Sequence, residues 1–112
     1  MIRLAALALA LTASAALAHS EKEIVLPAEN AVVEGSPEAI GMTFDGAMRI
    51  TAITLKGPDG APRALARTDR MAPVLEFRAT PEPLAPGAYR VDWKGISTDG
   101  HMMEGGWSFT VK

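Results

Sequence analysis

His19 and His101 are the only histidines in the 112-residue chain, and there is no cysteine. His19 stands directly behind Ala16-Leu17-Ala18. His101 closes the triplet Asp99-Gly100-His101. Both settings suggest metal chemistry. A histidine that begins a chain offers its α-amine and ring Nδ1 to one ion, closing a six-membered chelate. Nε2 lies too far round the ring to do this. An Asp-x-His triplet sets a carboxylate and an imidazole at i and i+2, on one side of an extended segment. Each has a plainer reading. His19 alone is the frayed first residue of a domain. Asp99-Gly100-His101 alone is a hairpin turn, with Asp99 accepting from local amides and Gly100 at positive φ.

The chain start decides whether His19 can be terminal. Met1-Ile2-Arg3 is followed by Leu4 to Ala18 without a charge. That run is shorter than the roughly 20 residues needed to cross a bilayer. It ends in Ala16-x-Ala18, the small-residue pattern of a secretory signal peptide. Cleavage after Ala18 leaves residues 19–112 as the mature domain, with His19 first. In the uncut chain the same nitrogen is an amide and a poor ligand.

Residues 19–112 are enough for one domain with its own core. Without cysteine that core has no disulfide to help it, and thiolate zinc sites and thiol nucleophiles are excluded. Loss of Arg3 leaves 10 basic residues against 13 acidic ones, interspersed. With no basic stripe, nucleic acid is not an expected partner. No later apolar run reaches membrane length, so no membrane insertion of the mature chain is expected.

Helical periodicity is poor after residue 20, and turn residues recur every 8–12 positions, as in sandwiches and barrels. The predicted strands are 22–26, 38–44, 49–56, 63–66, 74–78, 88–96 and 106–111. Pro27-Ala28-Glu29-Asn30, Gly57-Pro58-Asp59-Gly60 and Gly105-Gly106 punctuate them. Tyr89-Arg90-Val91-Asp92-Trp93-Lys94 alternates apolar and charged residues, with one face in the core. Tyr89 follows a turn at the start of its strand, the local pattern of a tyrosine corner. Trp93, Trp107 and Phe109 are expected core residues. The expected fold is all-β: a seven-stranded, immunoglobulin-like Greek-key sandwich without a disulfide. In that topology the first strand begins at the end that carries the F–G loop, here about Ser97 to Gly105. His19 would then lie near Asp99 and His101.

An amine, two imidazoles and a carboxylate form an N/O donor set. Arranged in a plane it suits Cu(II), which also heads the Irving–Williams order. Ni(II) remains open, and Zn(II) would require tetrahedral placement.

The mature chain resembles the CopC family of periplasmic copper-binding, copper-resistance proteins. The resemblance rests on His19 behind the cleavage site, Pro27-Ala28-Glu29-Asn30 and Met48-Arg49-Ile50-Thr51. It also rests on Pro83-Leu84-Ala85-Pro86-Gly87-Ala88-Tyr89-Arg90-Val91-x-Trp93 and, most specifically, Ser97-Thr98-Asp99-Gly100-His101-x-x-x-Gly105. It implies a small cupredoxin-like or immunoglobulin-like sandwich holding one Cu(II) through His19, Asp99 and His101. It further implies storage or delivery of copper, with a CopD-type inner-membrane protein as a partner; separately, a monomer is the expected working unit. Two features depart from the family. Met42, Met48 and Met71 are scattered as core fillers rather than gathered in a Cu(I)-binding loop, so a single Cu(II) site is expected. Met102 stands where proline is usual.

Two rival functions differ in class. A histidine-brace copper oxygenase would also use a terminal histidine. The short chain, the loop without an aromatic platform and the in-plane carboxylate argue against it, so no enzymatic activity is expected. A metal-free interaction module is compatible with the fold alone.

Overall fold

The computed structural model describes residues 23–112, and every described element is a strand. The signal peptide expected over residues 1–18 and the expected ligand His19 lie outside the described residues. The strands are β1 (Ile24–Leu26), β2 (Val32–Val33), β3 (Ile40–Lys56), β4 (Pro62–Arg63), β5 (Leu65–Arg67), β6 (Val74–Pro81), β7 (Gly87–Ser97) and β8 (Met102–Val111).

β3 organises the sandwich because its two halves pair with different partners. Its first half pairs antiparallel with β1 (Ile24 opposite Thr43) and with β6 (Ile40 opposite Ala79), and β5 extends that layer beyond β6. Its second half pairs with β7, from Met48 opposite Ser97 to Lys56 opposite Arg90, and with β4. β8 continues this layer beyond β7, and β2 closes it in parallel with β8. The changeover falls at Phe44-Asp45-Gly46-Ala47, where the β6 ladder shifts register. The break predicted between strands 38–44 and 49–56 is therefore a bend within one strand, not a turn.

The core is apolar throughout. Ile40, Ile50, Leu55, Phe77 and Val91 are fully buried, and no polar or charged residue joins them among the described residues. β7 buries every second residue: Tyr89, Val91, Trp93 and Gly95. Trp93, Trp107 and Phe109 are buried as expected. Phe44 meets Trp93 edge-on across the layers, ring centroids 5.4 Å apart. The tyrosine corner is present: the Tyr89 hydroxyl donates to the Ala85 carbonyl at 2.5 Å, and the ring stacks on Phe109. Met42 and Met48 are core residues, but Met71 is 46% exposed. It sits in the β5–β6 turn with φ 60°, where its side chain has no core to reach.

Two other expectations need correction. β8 begins at Met102, so the connection from β7 is only residues 98–101, much shorter than Ser97 to Gly105. Gly105 and Gly106 do not punctuate strands. They lie inside β8, opposite Trp93 and Asp92. A Cβ on Gly105 would fall 2.8 Å from Trp93 Nε1 and 3.1 Å from Glu23 Oε1. Glycine is used there because the indole packs onto the strand backbone.

Candidate metal centre

The β7–β8 hairpin carries Asp99 and His101 at its tip. Gly100 N–H donates to the Ser97 carbonyl at 2.9 Å, closing a four-residue turn, and Gly100 has φ 87°. That left-handed residue is the one a glycine fills without strain. Ser97 N–H then donates to the His101 carbonyl at 2.9 Å, so the ladder resumes at once. Asp99 and His101 are thus presented by a tight turn, not by the extended segment that the i, i+2 spacing suggested. They still meet, because the turn folds one side chain back onto the other.

His101 Nδ1 lies 2.7 Å from Asp99 Oδ2. Asp99 Oδ1 accepts hydrogen bonds from the Ser97 hydroxyl and from the His101 amide, the latter at 3.2 Å. These bonds, led by that from Ser97, hold the Asp99 carboxyl down at about 2, so it is ionised at neutral pH. An ionised carboxylate only accepts hydrogen bonds. Nδ1 must therefore carry the ring proton, and the neutral imidazole presents its lone pair on Nε2. Both side chains are open to solvent, 63% exposed for Asp99 and 78% for His101. The turn reading and the ligand reading of this triplet are compatible: Asp99 satisfies local donors and still has acceptor capacity on Oδ2.

A cavity of about 280 Å³ opens beside the hairpin. Its walls include Glu23, Phe44, Asp45, Trp93, Asp99 and Glu104. Glu23 is the first described residue, and β1 runs from it antiparallel to β3. The described start of the domain therefore shares a cavity with Asp99. Asp45, at the bend of β3, was not singled out in the sequence. Its only signal was the Asp45-Gly46 pair, which reads as turn punctuation. Among the described residues no three His, Cys, Asp or Glu side chains converge as a metal cluster. The donors that do converge, one imidazole nitrogen and one carboxylate oxygen, fit a borderline cation such as copper.

These features define a small cysteine-free β-sandwich domain that carries an exposed Asp–His pair on one hairpin. This chain belongs to the CopC family: the CopC domain model matches residues 22–112. Copper resistance protein C of Escherichia coli is 31% identical, over 89% of this chain and 86% of that protein. Among solved structures, PcoC, a copper resistance protein from Escherichia coli, has a TM-score of 0.63 at 29% identity, covering 80% of this chain and 96% of that one. The crystal structure of CopC from Methylosinus trichosporium OB3b has the same TM-score at 24% identity, covering 81% and 94%, and shares the fold. The function of the chain is therefore related to copper.

Proposed function

We propose that the chain is exported, cut after Ala18, and carries one Cu(II) in the periplasm, bound by the α-amine and Nδ1 of His19, by Asp99 and by His101. The observation that carries this reading is the shared cavity of Glu23 and Asp99. His19 stands four positions ahead of Glu23, and an extended chain covers ~14 Å over those four steps. The reading requires the hairpin donors to lie within that reach of Glu23. Asp99 supplies negative charge against the cation, and its Oδ2 and His101 Nδ1, 2.7 Å apart in the metal-free chain, can share one ion once the ring proton between them leaves.

Binding requires a deprotonated α-amine, whose ordinary pKa is about 7.7–8.0. Copper uptake therefore expels a proton, and affinity falls as pH drops below that range. The ion is cargo. The chain stores it or hands it to a membrane protein of the CopD type and catalyses no reaction itself. The exposure of both hairpin donors suits transfer, since an acceptor's ligands can approach the ion from solvent.

The test is a Cu(II) titration of protein beginning at His19, followed by EPR. One equivalent with nitrogen hyperfine structure is expected. Adding one residue ahead of His19 displaces the chelating amine, and unchanged affinity in that protein defeats the assignment.

A further inference from the structure

Asp99 has three hydrogen-bond donors, and two of them, the amide and the ring of His101, belong to the turn itself. The third is the Ser97 hydroxyl. Ser97 differs in kind because it is the last residue of β7 and is fixed by the ladder on both sides. It is opposite Met48 of β3, and its amide is bonded to the His101 carbonyl. A Ser hydroxyl has one proton to give. The His101 carbonyl lies 3.3 Å from Oγ, further than the ionised Asp99, so the carboxylate is the acceptor that holds the proton.

On the copper reading above, we infer that Ser97 is the positioning residue of the metal site. Its hydroxyl ties the exposed Asp99–His101 pair to the rigid sandwich. Ser97 and the His101 amide together occupy Oδ1, so Oδ2 is the oxygen left for the imidazole in the metal-free chain and for the ion in place of the ring proton. With Oδ1 held at the hairpin base, the carboxylate cannot swing to offer both oxygens. The plane of the imidazole is fixed in turn through Nδ1. Without the hydroxyl, every remaining donor to Asp99 moves with the turn, and an exposed carboxylate samples several rotamers. Ser97 touches no ion and acts through Asp99 alone.

The experiment uses protein beginning at His19, with Ser97→Ala, Ser97→Thr and His101→Ala variants. Cu(II) affinity is measured by competition with a chelator, and His101 ring ¹⁵N shifts are recorded on metal-free protein. Ser97→Ala is expected to weaken Cu(II) binding roughly tenfold, the lower end for losing a group that orients a ligand. Its metal-free ring shifts should move toward a mixture of tautomers, while the β7 and β8 amides keep their positions. Ser97→Thr keeps a hydroxyl and should recover both. Wild-type affinity and ring shifts in Ser97→Ala, or a loss shared in full by Ser97→Thr, overturn the assignment. His101→Ala tests the parent reading separately: if it binds copper as wild type does, the copper site is misassigned, and the metal-free ring shifts still judge Ser97.

Discussion

At the scale of single residues, the hairpin tip works by saturation. Asp99 is solvent-exposed, yet its two oxygens take three hydrogen bonds, and its carboxyl is pulled from the ordinary 3.8 down to about 2. The direction sets a pH window. A carboxylate with a depressed folded pKa stabilises the fold above its unfolded value and stops doing so as pH falls through its folded value. The hairpin tip should therefore hold at pH 5 and loosen between roughly pH 4 and 2. Carboxyl ¹³C shifts followed against pH check this, and a midpoint for Asp99 near the ordinary value would contradict the bonding described. A second residue-scale prediction concerns Gly105, which has Trp93 Nε1 on one side and Glu23 Oε1 on the other. Gly105→Ala forces a methyl into that gap. Overpacking of this kind costs about 1–3 kcal/mol, measurable by urea unfolding, and it should perturb the amide of Glu23 more than those of β5. An Ala variant as stable as wild type would show that the indole and Glu23 have room to move aside.

At the scale of elements, the strands that bury one face were legible and the irregular ones were not. β7 could be read residue by residue because Tyr89, Val91 and Trp93 alternate with Arg90, Asp92 and Lys94, and the structure buries the first set. The tyrosine corner was legible for the same reason: a turn residue and a tyrosine stand at a fixed offset. Tyr89→Phe should leave the Ala85 carbonyl without its donor and cost about 1–3 kcal/mol, seen as a lower urea midpoint at unchanged slope. β2 was not legible, since two valines pairing in parallel with β8 carry no alternation to detect. Nor was the continuity of β3, because Asp45-Gly46 has turn composition and only the change of ladder partner shows it to be a bend. At the site, the pairing of Asp99 with His101 was legible in the triplet, whereas Ser97 was not. Its role depends on where the ladder stops, which the spacing of residues does not reveal. Arg67 was equally hidden. It donates to the Ile50 carbonyl at 2.6 Å, pairs with Asp69 at 2.7 Å and covers the Phe77 ring, so β5 is bonded to the half of β3 that pairs with β7 in the other layer. The guanidinium holds the Asp69 carboxyl below its usual range. Arg67→Met should keep the packing and lose the charged bonds, at a cost of about 2 kcal/mol.

At the scale of the molecule, the question is what joins the two layers of a domain without cysteine. The apolar core does most of this, through contacts such as Phe44 with Trp93. β1 belongs to the layer of β6, and the Asp99–His101 hairpin belongs to the layer of β7 and β8. An ion shared between the amino terminus ahead of β1 and that hairpin would cross-link the layers at the cavity they both border. Copper should then stabilise the fold because it binds the folded chain far better than the unfolded one. At a free concentration of 100 times Kd the linkage contributes ~2.7 kcal/mol. A domain of this size shifts its Tm by roughly 4–8 °C for each kcal/mol, so a rise on the order of 10–20 °C is expected, reversed by a chelator. Protein carrying one extra residue ahead of His19 loses the amine–ring chelate, though it keeps the His19 imidazole, and should show a clearly smaller rise at the same copper concentration. Equal shifts in the two proteins would mean that the α-amine of His19 has no part in joining the layers.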